Sequence, residues 1–286
     1  MSNLYIPGDF MHYYHGHKKR KNWFENWIFK FQNHSMSIVF IPRIEFDEKA
    51  RPTLFLDIYL DKLYSISFFM EDFNSEENQL SIRLNNCYFT ERGCSLNLQT
   101  QELSIKGRID YDLNLSNTWS DFFTSFISVY QHHAIISPFH SLSGILVINS
   151  KEWNFNGGMG YIEMNWGKLS KYTFIWNQSL WKQNQINSIS LLTNQFSFFN
   201  RNIKSCLIAF YGDEAQVIFN APIQAKILKM NSEELIVSKN EYRFEFKRLK
   251  EHHLFSSRVL YRLYICDECV FFKEIDDSSF INKEIS

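Results

Sequence analysis

The sequence predicts an all-β fold, and three observations lead to that prediction. Apolar and polar residues alternate with a period of two in segments along the chain, which is typical of half-buried strands. The composition includes 28 Phe and 14 Tyr, and aromatic side chains pack well on a pleated surface. Polar, Asn-rich turns separate the segments, and no helical pattern of four turns lies between them. These features indicate an antiparallel meander of sandwich or barrel type.

Two segments show the alternation most clearly. In residues 54–60, LFLDIYL, every even position is aliphatic, and in residues 241–247, EYRFEFK, aromatic residues alternate with charged ones. Shorter runs of the same kind predict further strands at residues 36–41, 80–84, 103–109, 144–148, 186–192, 206–211, 216–219 and 258–266.

The middle of the chain has a different pattern. In residues 116–133, SNTWSDFFTSFISVYQHH, aromatic and aliphatic residues recur at spacings of three and four, which favours a short helix or a long aromatic crossing. We interpret residues 116–140 as a connecting segment between two β modules. The expected modules are residues 21–115 and 141–286, preceded by an N-terminal arm at residues 1–20.

Charge and hydropathy exclude several classes of function. The formal net charge is −1, and basic residues cluster only in HKKRK at residues 17–21, so nucleic acid is not an expected partner. That run is compatible with a solvated arm and with peripheral contact to an anionic membrane, and both interpretations stay open. No run reaches the roughly 18 apolar residues of a membrane helix, and no signal-peptide pattern is present, so we expect a cytoplasmic protein.

The cysteines do not predict a metal site. The count is five, and an odd number fits a reducing compartment in which most cysteines are small core residues. Cys266 and Cys269 form a single CDEC, which is weak evidence for zinc without a second pair or nearby histidines. Neither a phosphate-binding loop nor a dinucleotide fingerprint is present. We therefore expect no metal and no cofactor.

One segment resembles a motif of a known family. Residues 160–168, GYIEMNWGK, followed by Trp176 and Gln178, resemble the GYxExxWG...WxQ motif of the tocopherol cyclase family. Two earlier segments agree with it. Residues 133–149 resemble the HxxxSxxHxLSG...IN stretch of that family, and residues 24–44 resemble its FEGWYFK...IPGI opening. The motifs occur in one order over about residues 12–250, which is more specific than any one of them.

The chain also departs from the family pattern. Two family glycines are replaced by larger residues, Asn26 and Arg43. The other departures are Gln131, Ser170, Lys171 and Leu180. The sequence therefore resembles a divergent member of the family.

The resemblance implies a fold and a substrate class. The implied fold is two lipocalin-like antiparallel β-barrel modules packed together, as in the related carotenoid hydratase proteins. The implied partner is a small hydrophobic molecule, a phenol or quinol with a prenyl tail. The implied reaction is intramolecular addition of the ring hydroxyl across the nearest double bond of the tail, which is the work of an intramolecular lyase. Non-catalytic binding or carriage of such a molecule is the alternative.

Glu163 is the candidate proton donor for this chemistry. Protonating an alkene requires an acid that is held in place inside a dry pocket. Glu163 lies in an otherwise apolar and aromatic segment, and strand alternation puts it on the same face as Tyr161 and Asn165. That face points either into a barrel lumen or outwards. The alternative interpretation is that Glu163 accepts hydrogen bonds and fixes a hairpin at the start of the second module.

Two histidines are the next candidates. His133 and His140 are predicted to act as the base beside the phenol or as a proton relay, with satisfied structural histidines as the alternative. Their spacing of seven does not fit a helical metal-binding pair. The residues expected to form the pocket wall are Trp27, Tyr161, Trp166, Trp176 and Gln178, of which Gln178 is a candidate for orienting the ligand.

Overall fold

The computed structural model describes residues 13–16, 21–112, 123–124, 131–168, 172–182, 186–198, 201–212, 216–221, 224–253, 256–266 and 268–285. Within these ranges the chain is almost entirely β strand, arranged in two antiparallel sheets. The predicted all-β class is therefore confirmed. No helix among the described residues has the length and apolar character to cross a membrane.

The first sheet follows the order β4-β3-β2-β1-β13-β11-β9-β8-β7-β6-β5, with β10 and β12 paired to β11. A 3₁₀ turn at Met70–Asp72 precedes β5. The strands are β1 (Trp23–Gln32), β2 (Ser37–Phe46), β3 (Pro52–Tyr59), β4 (Leu63–Phe68), β5 (Phe73–Ser75), β6 (Ser81–Leu84), β7 (Cys87–Thr90), β8 (Gly93–Gln99), β9 (Ser104–Asp112), β10 (Phe123–Thr124), β11 (Gln131–Ile148), β12 (Lys151–Asn154) and β13 (Gly158–Lys168).

The second sheet follows the order β17-β16-β15-β14-β22-β21-β20-β19-β18. Its strands are β14 (Tyr172–Lys182), β15 (Ile186–Phe198), β16 (Arg201–Tyr211), β17 (Gln216–Ala221), β18 (Lys226–Met230), β19 (Glu234–Lys239), β20 (Tyr242–His253), β21 (Ser256–Ile265) and β22 (Glu268–Ile285). Every run that was predicted as a strand from its alternation falls on one of these strands. Most of the segment for which a short helix or a long aromatic crossing was predicted, residues 116–122 and 125–130, lies outside the described residues.

The alternation in residues 54–60 decides which side chains of β3 are buried. Leu54, Leu56 and Ile58 point into the core, and Asp57 lies on the opposite face. There the Arg43 guanidinium donates a hydrogen bond from Nε to Asp57 Oδ2 over 2.9 Å. Arg43, which stands where the resembled family has a glycine, thus occupies a regular position in the pairing of β2 with β3.

The first sheet extends to Lys168, whereas the sequence pattern predicted a second module that starts at residue 141. β13 pairs with β1 along its whole length, from Trp23 opposite Lys168 to Gln32 opposite Met159. β13 and β14 are consecutive in the chain but do not form a hairpin, because β13 belongs to the first sheet and β14 to the second. Both faces of β1 and β13 are buried, because one face packs in the interior of the first sheet and the other against the second sheet.

The first sheet curls around an aromatic interior. The rings of Phe29 on β1 and Phe89 on β7 lie 4.9 Å apart between centroids, although four strands stand between β1 and β7 in the sheet. Phe40 on β2 also contacts Phe89, at 6.0 Å. We call this interior the first lumen; alternate residues of β1, including Trp27 and Phe31, line it.

The second sheet nearly closes on itself. Lys239 on β19 donates a hydrogen bond from Nζ to the carbonyl oxygen of Ile218 on β17 over 3.2 Å. The rings of Phe219 on β17 and Phe244 on β20 lie 5.9 Å apart. These contacts join the two ends of the strand order around a separate apolar core.

The two sheets pack face to face through a third apolar cluster, which we call the inter-sheet interface. Lys30 on β1 is wholly buried there and donates from Nζ to the carbonyl oxygen of Gln178 on β14 over 2.8 Å. The buried apolar residues of the interface are Ile28, Val39, Ile41, Tyr59, Ile135, Tyr161, Trp176, Leu180, Leu192, Leu207, Ala209, Tyr211 and Ile281.

A buried carboxylate holds residues 13–16 against the first lumen. Glu25, wholly buried, accepts hydrogen bonds from the backbone N–H of His15 at 2.9 and 3.0 Å and from Trp23 Nε1 at 3.1 Å. Trp27 Nε1 in turn donates to the carbonyl oxygen of Tyr13 over 3.0 Å. A carboxylate tolerates burial when donors replace the water it has lost, and here those donors tie the N-terminal segment to β1.

Replacing Glu25 with Ala is expected to lower the free energy of unfolding by about 3 kcal/mol, because it strands the His15 and Trp23 donors in an apolar interior. Urea unfolding measures the change. The matched control is Glu48→Ala on the exposed turn after β2, which should change stability by less than about 0.5 kcal/mol. Equal effects of the two substitutions would show that Glu25 does not hold this segment.

Candidate functional site

Glu163 lies at the inter-sheet interface with both carboxylate oxygens hydrogen-bonded. Its exposed fraction is 0%. The Tyr161 hydroxyl donates to Oε2, and Asn165 Nδ2 donates to Oε1 over 3.2 Å. Because residues two apart share a face of a strand, β13 alone supplies all three groups. The face that sequence alternation left open thus points towards the second sheet.

His133 joins this cluster from the neighbouring strand. β11 places His133 directly opposite Asn165, and His133 Nδ1 lies 2.6 Å from Asn165 Oδ1. An amide oxygen only accepts, so Nδ1 carries the proton. The other ring nitrogen, Nε2, lies 3.8 Å from Glu163 Oε2. His133, Glu163 and Tyr161 thus combine an imidazole, a carboxyl and a phenol, the groups that move protons in enzymes.

Apolar residues border Glu163 on both neighbouring strands. Ile28 on β1 and Ile135 on β11 are its partners in the strand register, and both are almost wholly buried. Across the interface, Ser190 on β15 lies 2.8 Å from the Tyr161 hydroxyl. Leu192 on β15 adds to the apolar wall. The Glu163 carboxyl group therefore lies among apolar side chains and is shielded from solvent.

Three buried polar atoms of the interface have no hydrogen-bond partner among the described residues: His133 Nε2, Trp176 Nε1 and Gln178 Oε1. All three belong to residues that the sequence analysis selected. Such atoms are uncommon in folded proteins, because leaving a buried polar group unpaired costs about 1–3 kcal/mol. His133 Nε2 lies 3.8 Å from Glu163 Oε2, and the Trp176 ring lies 6.5 Å from the Tyr161 ring between centroids, so this interface offers unpaired polar atoms to a ligand.

Burial and the neighbouring carboxylate both raise the pKa of Tyr161 well above its usual value, with burial the larger cause. Tyr161 therefore keeps its proton at neutral pH and acts as a donor towards Glu163. Its role in the cluster is to hold the carboxyl group in one orientation.

His140 does not lie beside Glu163, and its predicted catalytic role stays a prediction. It lies opposite Gly160 on the other face of β13 and contacts Tyr111 of the first lumen, with 4.8 Å between ring centroids. The register between β11 and β13 shifts on both sides of Ser137. The two one-residue shifts together leave the alternation of faces unchanged, so the odd spacing of seven residues places His133 and His140 on opposite faces of the sheet.

Trp27 and Trp166, two of the predicted pocket residues, do not lie beside Glu163. Both belong to the cluster of the first lumen, so the sheet itself separates them from Glu163. Of the predicted wall, Tyr161, Trp176 and Gln178 do lie at the inter-sheet interface. Alternation along β1 and β13 explains the division, since even and odd positions serve different cores.

Several polar residues in and around the site were not predicted from sequence. Asn26 accepts from Asn165 Nδ2 over 3.0 Å and so ties β1 to the cluster. Lys30 lies opposite Tyr161 in the strand register. The pairing of β1 with β13 thus brings a cation next to a segment that contains none near Glu163 in sequence. Glu25 has tryptophans two positions away on either side, which is the signal that could have placed a carboxyl group on an aromatic face. On β15, Ser188 and Ser190 recur two positions apart, and this spacing likewise predicts polar groups on one face of an otherwise apolar strand.

The described residues contain no group of three or more His, Cys, Asp or Glu side chains that could hold a metal ion. Cys266 and Cys269 are both exposed. That the protein uses neither metal nor cofactor stays a prediction.

No protein-family model matches the sequence, and no curated protein does. Solved structures do resemble it. A protein from Nitrosomonas europaea described as AttH matches over 98% of this chain and 95% of its own, with a TM-score of 0.55 and 9% identity. Kievitone hydratase from Nectria haematococca matches over 92% of this chain and 88% of its own, with a TM-score of 0.51 and 10% identity. The likeness establishes the lipocalin-like fold and leaves the tocopherol cyclase family without specific support.

Substituting Gly160 with Ala is expected to destabilise the protein by about 1–3 kcal/mol, because the new methyl group would collide with the His140 imidazole, lying 2.7 Å from its Cδ2. Urea unfolding of Gly160→Ala, His140→Ala and the double variant gives the coupling between the two positions. We expect the double variant to be at least about 1 kcal/mol more stable than the sum of the single effects predicts. Additive effects would mean that the ring does not cover Gly160.

Acid is expected to weaken the fold through His140. Burial lowers the pKa of His140 from 6.5 to about 3. Between these two pH values the unfolded chain binds a proton at His140 and the folded protein does not. The stabilisation is complete above pH 6.5 and is lost as the pH falls towards 3. Between pH 8 and pH 5 the wild type should lose about 2 kcal/mol more than His140→Gln. The control, His34→Gln at an exposed position, should follow the wild type; a His140→Gln profile that also does so would contradict the assignment.

Proposed function

We propose that the protein transfers protons to and from a carbon–carbon double bond of a lipophilic molecule, at the cluster of Glu163, Tyr161 and His133. The observation that carries the proposal is a wholly buried carboxyl group with an unpartnered imidazole nitrogen 3.8 Å away. The resemblance of the motifs to tocopherol cyclases supports a prenylated phenol or quinol as the substrate. On this proposal the protein is a divergent relative of that family.

The proposed reaction begins with Glu163 in its protonated form. The carboxyl group gives its proton to one alkene carbon, and the other carbon becomes cationic. An oxygen nucleophile then bonds to the cationic carbon and releases a proton, which His133 Nε2 accepts and returns to Glu163. If the nucleophile is the ring hydroxyl of the substrate, the product is a closed ring; if it is water, the product is an alcohol. All atoms are accounted for without an oxidant or reductant.

The neighbouring groups support these roles. Tyr161 and Asn165 each bond one oxygen of Glu163, which fixes the carboxyl group relative to a bound alkene. Trp176 Nε1 and Gln178 Oε1 are a donor and an acceptor without partners among the described residues, and they suit a polar ring of the substrate. The apolar wall around Ile28 and Ile135 favours the tail and limits attack by stray water.

The fold also suits a hydration reaction. Kievitone hydratase is, by its name, a hydratase, and its fold resembles this one. Hydration and cyclisation share the proton transfer to an alkene and differ only in the nucleophile. We therefore include hydration in the proposed class.

A second function, binding or carriage of the same class of molecule without catalysis, is favoured by one observation. Both oxygens of Glu163 already have partners from its own strand, as in a group that serves to fix structure. In this case the unpartnered atoms of Trp176 and Gln178 would orient a ligand that leaves unchanged.

The test is conversion of geranyl hydroquinone by purified protein, followed by chromatography and mass spectrometry. Cyclisation gives a chromanol-type product of unchanged mass, and hydration gives a gain of one water. We expect Glu163→Gln to lower turnover at least about 100-fold, because general acid catalysis contributes that much or more.

The matched control is Glu152→Gln, an exposed glutamate on β12, which should keep full turnover. Binding of the probe without conversion by the wild type would select the carrier function. Turnover by Glu163→Gln at the wild-type rate, in a variant with unchanged unfolding, would contradict the catalytic role.

A further inference from the structure

The first lumen contains two buried polar groups whose hydrogen bonding differs. Glu25 is satisfied by the chain itself, through His15 and Trp23. His140 is 2% exposed, and its Nε2 has no hydrogen-bond partner among the described residues. The two groups lie at different ends of the lumen, because Glu25 pairs with Trp166 and His140 with Gly160, six positions apart on β13. The polar group at one end is hydrogen-bonded within the protein, whereas the Nε2 atom at the other end has no hydrogen-bond partner among the described residues.

The residues around His140 hold its imidazole ring in one orientation. His140 lies opposite Gly160 and, like the other even residues of β11, faces the lumen. Gly160 leaves the space that the ring fills, and Nε2 is the ring atom nearest to it. Ser137 Oγ lies 2.9 Å from His140 Nδ1 and donates its own proton to the carbonyl oxygen of Phe139 over 3.1 Å. With the Ser137 proton on the bond to the Phe139 carbonyl oxygen, Nδ1 supplies the proton of the bond to Ser137, and Nε2 is then a bare acceptor.

The surroundings of His140 are aromatic. The Tyr111 ring lies 4.8 Å from it between centroids, Phe31 lies 5.6 Å from Tyr111, and Phe155 lies 6.3 Å from Phe31. Burial keeps the imidazole neutral at physiological pH. A neutral acceptor inside an aromatic lumen suits a molecule that is apolar except for one hydrogen-bond donor.

We propose that His140 anchors a second ligand site, inside the first lumen, for a lipophilic alcohol or phenol that donates its hydroxyl to Nε2. This site lies on the opposite face of β13 from Glu163. It needs no catalysis and stands or falls separately from the proposed reaction.

The test uses protein labelled at the histidine ring nitrogens and two probes, para-octylphenol and octylbenzene. The His140 resonances are assigned by their absence from His140→Phe. We expect para-octylphenol to shift the Nε2 resonance of His140, because an acceptor nitrogen responds to a new hydrogen bond. Octylbenzene, which lacks the hydroxyl, should leave that resonance in place. By titration, His140→Phe should bind para-octylphenol about 10-fold more weakly than the wild type and bind octylbenzene equally well.

Glu163→Gln distinguishes the two sites. The His140 shift with para-octylphenol should persist in this variant, whether or not the variant retains turnover. The proposal is overturned if saturating para-octylphenol leaves the Nε2 resonance unmoved in the wild type. It is also overturned if binding is lost in Glu163→Gln and retained in His140→Phe, a result that would place the ligand at the inter-sheet interface alone.

Discussion

The pairing of β1 with β13 is the constraint on which the rest of the molecule depends. It brings residues 23–32 against residues 159–168 in one antiparallel ladder and places both strands in the middle of the first sheet. Each strand then has one face in the first lumen and the other at the inter-sheet interface. Glu25 and Glu163, which occupy similar positions in their own motifs, therefore serve two different environments separated by the thickness of one sheet.

Each buried carboxyl group is balanced by donors from neighbouring residues, since an unpaired buried charge would be costly. Around Glu163, the donors come from residues two positions away on the same strand. β13 itself therefore supplies hydrogen bonds that water would otherwise make to the carboxyl group. Asn26 extends this cluster to β1. It stands where the resembled family has a glycine, so the departure from the family pattern adds a hydrogen bond to the candidate site. The difference from the family pattern thus includes a residue that contacts the candidate site.

The strands were predictable from sequence because alternation is local. Residues 54–60 and 241–247 carry the signal within themselves, and the structure has strands there. The boundary between the sheets was not predictable, because β13 pairs with a strand more than a hundred residues earlier and local patterns do not encode partners. The candidate site was found in part: Glu163, His133 and Tyr161 are together, whereas His140 is not. The two histidines are seven residues apart, so strand alternation alone places them on opposite faces, and the two one-residue shifts around Ser137 leave that parity unchanged. Their separation could have been predicted had residues 131–148 been recognised as one strand.

The lipocalin-like architecture gives this chain three interiors, two within its sheets and one between them. The two polar clusters considered for function occupy the first lumen and the inter-sheet interface, and β13 contributes to both. A single strand with small, aromatic and acidic residues in alternation can therefore support two sites of different character.

The most direct test of this separation is a pair of double-mutant cycles on unfolding free energy, one for Glu163 with His133 and one for Glu163 with His140. Residues that share a network couple by more than about 0.5 kcal/mol, whereas independent residues are additive within about that error. The account predicts coupling of about 1 kcal/mol or more for Glu163 with His133 and additivity for Glu163 with His140. Strong coupling of Glu163 with His140, together with additivity for Glu163 with His133, would contradict it.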